Sequence, residues 1–183
     1  MVWKITPEEL LERYADGERN FAGIELVYSG WPSSSSKYSS PGIDLDGVVL
    51  RDINLRGAYF PYVYLTGVDL TGADLGGIFM RGCNLVKGII RDANLRAANL
   101  EQSGFFDADL RGTNLDYMNA CGAGFRGVQI GSFERAIVAY TDFEGAHISS
   151  GLICRGMNLI WHTTMPDGNV VRGPQWGNDR DAR

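Results

Sequence analysis

An apolar residue, most often leucine, returns every five positions through the middle of the chain, for eighteen pentads without a break. These central residues are Leu45, Leu50, Leu55, Phe60, Leu65, Leu70, Leu75, Met80, Leu85, Ile90, Leu95, Leu100, Phe105, Leu110, Leu115, Ala120, Phe125 and Ile130. A smaller residue stands two positions before each of them, and Asp or Asn is favoured in between. A period of five fits neither the 3.6 of an amphipathic helix nor the 2 of a strand. The pattern predicts a solenoid of short sides whose two apolar positions both point inward.

Glycine is enriched in this chain, with 24 of 183 residues against a usual share of about 7%. Many glycines stand at the last pentad position: Gly47, Gly57, Gly67, Gly72, Gly77, Gly82, Gly112, Gly122 and Gly127. Glycine adopts corner conformations that other residues resist. The excess therefore indicates the corners of a stiff solenoid and not a flexible low-complexity chain.

Four pentads carry the motif A(D/N)L in full. They read Ala-Asp-Leu at 73–75 and 108–110, and Ala-Asn-Leu at 93–95 and 98–100. Over residues 43–159 the chain resembles the pentapeptide-repeat proteins, whose consensus is A(D/N)LXX. The resemblance implies an all-β solenoid, a right-handed quadrilateral β-helix with four pentads per coil. Residues twenty apart would then stack in successive coils, about 4.8 Å apart.

The repeat slips by three residues after Ile130, which predicts a bulged corner near Gly131 and Ser132. It resumes with the central residues Phe133, Val138, Phe143, Ile148 and Ile153. The whole series gives about 23 pentads and predicts about six coils.

Both ends carry signals of a cap, which a solenoid needs because its terminal coils expose apolar surface. Thr6 as N-cap, Pro7 at the first helical position and Gly17 as a stop predict a helix over residues 7–15. Its apolar stripe would cover the first coil with Leu10, Leu11, Tyr14 and Ala15. This helix, and the hairpin expected at the other end over residues 160–183, are similar to those of pentapeptide-repeat proteins common in cyanobacteria.

The chain is expected to form one domain, residues 1–183. Residues 1–18 would be the helical cap, and 19–42 a partial first coil interrupted by a surface loop over 27–42. Repeat coils would follow over 43–159. Residues 160–183 would form a hairpin lid around the turn Pro-Asp-Gly at 166–168, with a frayed polar tail.

The charge balance argues against several classes of partner. Seventeen basic and 22 acidic residues give a net charge of −5, so direct binding of nucleic acid or of an anionic membrane is not expected. No apolar window is long enough to span a bilayer, and no secretory signal opens the chain. Three cysteines match neither a disulfide framework nor a metal knuckle. A cytoplasmic protein is therefore expected.

Catalytic chemistry is not evident in the sequence. The two histidines, His147 and His162, belong to no catalytic or metal-binding motif. Cys83 occupies a small inward position, and Cys121 and Cys154 should face outward, where a redox role stays open. We expect no enzyme activity, no catalytic residues, no cofactor and no metal.

Outward aromatic residues gather around one predicted corner. They are Tyr59, Tyr62 and Tyr64, with Phe79 expected to stack one coil beyond Tyr59. Exposed aromatics are candidates for a protein-interaction site. The alternatives are simple stacking between coils, or cover by the loop over residues 27–42.

An outward charged column includes Arg91 and Arg111, next to Asp92 and Asp109. It is either a docking face or a solvated lattice of ion pairs, each of little energetic value.

Together these features favour a non-enzymatic scaffold or regulatory protein that binds an unidentified protein. The alternative comes from the resemblance alone. Some pentapeptide-repeat proteins mimic duplex DNA with an acidic surface and act on a type II topoisomerase, DNA gyrase.

Overall fold

A computed structural model of the chain describes residues 3–27 and 43–176. Parallel β-bridges join residues twenty apart, as in the series Asp44, Tyr64 and Asn84. One coil therefore contains four pentads, and each pentad forms one side. We number the sides by their first central residues: side 1 begins with Leu45, side 2 with Leu50, side 3 with Leu55 and side 4 with Phe60.

The regular elements are short. The helices are α1, Pro7–Ala15, and α2, Ser150–Ile153. The strands are β1 Lys4–Ile5, β2 Glu25–Leu26, β3 Asp109–Leu110, β4 Gln129–Ile130, β5 Leu159–Ile160, β6 Thr163–Thr164, β7 Val170–Val171 and β8 Gln175–Trp176. β1 pairs with β2 and β3 with β4 in parallel, whereas β5 with β8 and β6 with β7 are antiparallel.

Side chains from all four sides fill the interior of the coils. All eighteen central residues from Leu45 to Ile130 are buried. The small inward residues are buried as well, except Val48, which is half-buried. On side 1 the rings of Phe105 and Phe125 stack with centroids 4.8 Å apart, which matches the spacing of successive coils. The predicted inward pair of each pentad is thus confirmed.

The corners have a uniform backbone. Every last-pentad residue from 47 to 127 has a positive φ, and the amide of the next small residue closes a turn, as where Ala58 N donates to Leu55 O at 3.0 Å. A positive φ at the third residue is the signature of a type II turn. Eight of these corner residues are not glycine: Asp52, Tyr62, Lys87, Asp92, Ala97, Gln102, Asp107 and Tyr117.

The preference for Asp or Asn before the central residue has a local cause. Its side-chain oxygen accepts a hydrogen bond from the amide two residues later, as Asn54 does from Arg56 (3.1 Å) and Asp74 from Gly76 (3.0 Å). Asp and Asn are suited to such two-residue bonds. The side chain thereby satisfies an outward amide at the start of each corner.

Polar residues at the small inward position are also satisfied. Ser103 Oγ donates to Met80 O at 2.6 Å, and Thr141 Oγ1 donates to Ala120 O at 2.7 Å. Each acceptor is the carbonyl of a central residue on the preceding coil. Among the described residues, no buried side-chain nitrogen or oxygen lacks a hydrogen-bond partner.

The coil length changes where the sequence slips. Asn119 pairs with Ile137, 18 residues later, and Ile137 pairs with Leu159, 22 residues later. The second of these coils contains α2 in place of the pentad expected around Ile153, and Ile148 is only half-buried. Ile153 is still buried, because α2 directs it inward.

At the N-terminal end, α1 has the predicted bounds. Thr6 Oγ1 accepts a hydrogen bond from Glu9 N at 3.2 Å, and Tyr14 OH donates to Arg51 O at 2.9 Å. Leu10 is fully buried in the same apolar cluster as the repeats. Ala15 is exposed, so the apolar stripe is one residue shorter than expected.

At the C-terminal end, the hairpin β6–β7 turns at residues 166–168, and Met165 N donates to Asn169 O at 2.8 Å. From residue 28 on, the loop expected over 27–42 lies outside the described residues, as does the tail after residue 176. Within the described residues, no helix combines the length and the hydropathy needed to cross a bilayer.

The corner conformation predicts opposite effects at two stacked positions of side 3. Gly77 has a φ of 64° and Ala97 a φ of 58°, and a Cβ at Gly77 would meet no atom within 4 Å. Gly77→Ala should lower the free energy of unfolding by about 1 kcal/mol, since an alanine is strained there. Ala97→Gly should raise it by less than about 1 kcal/mol, because glycine's greater freedom in the unfolded chain offsets part of the gain.

Urea unfolding of both variants measures these changes. Equal signs for the two substitutions would show that backbone strain does not decide stability at these corners.

Candidate protein-interaction surface

The predicted stacking of Tyr59 and Phe79 is present on side 4. Their ring centroids lie 4.8 Å apart, with an angle of 20° between the planes. The two residues are joined by a parallel bridge in consecutive coils, so the backbone ladder itself brings the rings into contact.

Two further tyrosines flank this stack. Tyr62 is at the corner between sides 4 and 1, and a Cβ at Gly82 would come within 2.6 Å of its ring. The Tyr62 ring therefore lies over the backbone of the next coil. Tyr59, Tyr62 and Tyr64 are 44%, 56% and 47% exposed. We call Tyr59, Tyr62, Tyr64 and Phe79 the aromatic corner.

These aromatic residues stand where the repeat favours other residue types. Tyr59, Tyr64 and Phe79 occupy the position at which Asp or Asn would accept the corner amide. Tyr62 has a φ of 58°, a conformation that costs a bulky residue about 1–2 kcal/mol relative to glycine. The aromatic corner thus forgoes local stabilisation that neighbouring pentads have.

The predicted arginines lie on another side. On side 2, Arg91 Nη2 is 2.5 Å and Arg111 Nη2 is 2.7 Å from Asp109 Oδ2. Hydrogen bonds from Arg111, and then from Arg91, hold the pKa of the Asp109 carboxyl well below its usual range. The structure therefore does not bring Arg91 and Arg111 together with the aromatic corner, and both guanidiniums already have a carboxylate partner.

A second aromatic group was missed in the sequence. Tyr140 stacks on His162 with centroids 5.2 Å apart, and Trp161 lies 6.0 Å from Tyr140. We call these three residues the distal aromatic cluster. Tyr140 and His162 both have a positive φ and continue the corner column of Tyr62. The sequence feature that indicates these two corner positions is that Tyr140 stands two residues after the inward residue Val138, and His162 two residues after the inward residue Ile160.

The remaining candidates lie apart from these groups. His147 is exposed on side 2. Cys83 is buried, which raises the pKa of its thiol to about 12, and its Sγ donates to Phe60 O. Cys121 and Cys154 are partly buried free thiols. In residues 3–27 and 43–176, no three metal-binding side chains gather into a group.

The comparison with protein families agrees with the fold. Residues 42–77 and 64–102 match the family model of pentapeptide repeats, with eight copies. Residues 42–102 of this chain are therefore a run of pentapeptide repeats. Proteins of this family fold as right-handed quadrilateral β-helices and are generally structural or interaction proteins.

Several solved structures resemble this chain at low sequence identity. QnrB1, a plasmid-mediated fluoroquinolone resistance protein, is 17% identical, with 67% of this chain and 62% of QnrB1 covered and a TM-score of 0.46. A thylakoid-lumen pentapeptide repeat protein of Arabidopsis thaliana is 18% identical, with 70% of this chain and 81% of that protein covered and a TM-score of 0.40. HetL, a pentapeptide repeat protein involved in heterocyst differentiation regulation in the cyanobacterium Nostoc, is 18% identical, with 91% of this chain and 100% of HetL covered and a TM-score of 0.32. No curated protein matches the sequence.

The pair of arginines on Asp109 predicts a pH-dependent contribution to stability. Because the pKa of Asp109 is lower in the folded protein, its stabilisation is present above about pH 4, the unfolded value, and disappears as the pH falls through the folded value. Asp109→Asn should therefore be less stable than the original protein by about 1 kcal/mol at neutral pH. This difference should vanish in acid.

Urea unfolding at several pH values measures the difference. Asp107→Asn is the control, since Asp107 forms no ion pair with any described residue. A deficit of Asp109→Asn that is the same at all pH values would contradict the role of the charged pair.

Proposed function

We propose that this protein is a non-enzymatic scaffold that binds another protein through the aromatic corner, without cofactor, metal or nucleic acid. The observation that carries the proposal is that Tyr59, Tyr62, Tyr64 and Phe79 replace the residues that would stabilise the repeat at their positions. Neighbouring pentads show that the fold itself does not need these rings. A role outside the fold explains why the three tyrosines are exposed together beside the half-buried Phe79.

The chemistry of the aromatic corner suits a protein partner. Tyrosine combines an apolar ring with a hydroxyl group and is enriched at the energetic centres of protein interfaces. Tyr59 is held by its stack on Phe79, and Tyr62 by its contact with Gly82. Since these rings are already ordered, a partner would lose little side-chain entropy on binding them.

The distal aromatic cluster extends the proposed surface along the same corner. Four coil steps separate Tyr62 from Tyr140, a distance of about 19 Å. Gly82, Gln102 and Gly122 lie between them in the column. An elongated partner could therefore contact both aromatic groups across a corner with small side chains.

The full architecture belongs to the same proposal. We propose about six coils, with α1 in residues 1–18 covering the first coil, a partial coil in 19–42, repeats over 43–159 and a lid in 160–183. The burial of Leu10 and the pairing of β5 with β8 support these closures. The three free thiols suit a reducing compartment such as the cytoplasm.

Affinity capture from an extract of the source cells, with quantitative mass spectrometry, tests the interaction. A partner bound through the aromatic corner should be enriched by the original protein and reduced at least about tenfold by Tyr62→Ala with Phe79→Ala, since such anchors contribute about 2 kcal/mol or more each. Phe106→Ala with Tyr117→Ala is the matched control, because both are exposed aromatics outside the corner.

The control should retain the partner, and circular dichroism should show both variants folded. If the corner variant captures the same proteins in the same amounts as the original, the aromatic corner is not the binding surface.

Gyrase mimicry has less support. The net charge of −5 has the required sign. However, arginines project outward after seven central residues and interrupt any acidic track: Arg51, Arg56, Arg81, Arg91, Arg96, Arg111 and Arg126. We expect the protein neither to inhibit DNA gyrase in a supercoiling assay nor to protect it from a quinolone. Inhibition at stoichiometric concentration would make this alternative the better one.

A further inference from the structure

Side 3 carries a surface notch between two arginines. The notch has a volume of about 320 Å³ and is lined by Arg56, Gly76 and Arg96 together with the corner residues Gly57, Gly77 and Ala97. Arg56, Gly76 and Arg96 occupy the same pentad position in three successive coils. The Cα atoms of the two arginines are thus about 9.6 Å apart, and both side chains can reach into the space between them.

The gap exists because Gly76 has no side chain. Its backbone does not have the positive φ of the corner glycines, so its conformation does not require glycine. A Cβ there would lie 3.2 Å from Arg56 Nη1 and 3.1 Å from Asp74 Oδ1. Glycine at this position therefore lets the guanidinium of Arg56 lie against the backbone of the next coil, where a side chain would press on both Arg56 and Asp74.

The two guanidiniums are paired less closely than four other outward arginines, although Arg81 has a similarly long distance of 3.8 Å to Glu101. Arg51, Arg91, Arg111 and Arg126 each have a nitrogen within 2.7 Å of a carboxylate oxygen. Arg56 is 4.0 Å from Asp74, and Arg96 is 3.8 Å from Asp116. These distances are too long for hydrogen bonds. In the part of the chain that the structure describes, neither guanidinium forms a hydrogen bond with a carboxylate.

One oxygen of each neighbouring carboxylate is engaged elsewhere, and the other oxygen, Oδ2, is the atom nearest to the arginine. Asp74 Oδ1 accepts hydrogen bonds from Asn94 Nδ2 (2.8 Å) and Gly76 N (3.0 Å), and Asp116 Oδ1 accepts one from Glu134 N (3.0 Å). Arg96 is further held over the ring of Tyr117, 4.2 Å from its centroid. The guanidinium of Arg96 is therefore positioned at the edge of the notch, with the carboxylate of Asp116 at 3.8 Å but not hydrogen-bonded to it.

We propose that this notch binds one oxyanion group, a carboxylate or a phosphate, between Arg56 and Arg96. Guanidinium groups bind both oxyanions through paired, charge-assisted hydrogen bonds. The site is independent of the aromatic corner, which lies between sides 4 and 1. It would let the scaffold recognise an acidic or phosphorylated group on a surface that the proposed function does not use.

Titration of the full chain with inorganic phosphate and with acetate, at constant ionic strength, tests the proposal. Side-chain Nε resonances report each arginine separately in one NMR spectrum. Saturable shifts are expected at Arg56 and Arg96 but not at Arg51, which is already paired with Asp69. The anion that binds more tightly identifies whether phosphate or carboxylate is the preferred group.

Three variants sharpen the test. Arg56→Gln and Arg96→Gln should each weaken binding by about tenfold, through the loss of one charge-assisted pair. Gly76→Glu should abolish anion binding, because the carboxylate of the introduced side chain would fill the notch. Arg51→Gln is the control and should bind as the original protein does.

Equal shifts at all arginines, or no saturation up to about 100 mM of either anion, would overturn the proposal. So would unchanged binding by both Arg→Gln variants. The comparison of Arg56 and Arg96 with Arg51 is made within the original protein, so it does not depend on the folding of any variant.

Discussion

Backbone hydrogen bonds between successive coils are the constraint on which the rest of this structure depends. Leu50 N donates to Asp69 O, and Asp69 N donates to Val48 O, so each coil is held in register with the next. Every residue therefore stands above its counterpart one coil away, at about 4.8 Å. The core, the corners and the surface columns all result from this repetition.

The repetition makes departures from it informative. Ten of the eighteen regular pentads satisfy their own corner amide with Asp or Asn, and nine of the corners have glycine. The aromatic corner does not follow these preferences. Gly76 departs in another way, because it stands between Arg56 and Arg96 in a column of the outer surface. Both departures leave a feature on the outer surface, an exposed group of rings in one case and a notch beside two arginines in the other.

The sequence predicted part of the candidate surface. Because residues twenty apart must stack, the contact of Tyr59 with Phe79 could be expected from spacing alone, and so could the burial of Cys83. The sharing of Asp109 by Arg91 and Arg111 could not, because side chains of that length choose among several partners within reach. The cluster of Tyr140, Trp161 and His162 was missed because the coil that brings these rings together has 22 residues and contains α2 in place of the expected pentad.

By itself, the sequence determined the inward and outward positions from residue 43 to 130, since each pentad carries its own inward pair and corner residue, and most carry an Asp or Asn that accepts the corner amide. It also determined α1, whose capping signals are local. The sequence also placed the shift after Ile130, and Phe133, Val138 and Phe143 are buried as predicted. Only the tertiary structure decided the register beyond Phe143, where a coil of 22 residues contains α2. The physical reason is that coil length there depends on which residues can stack on the coil before, and the local sequence does not contain that information.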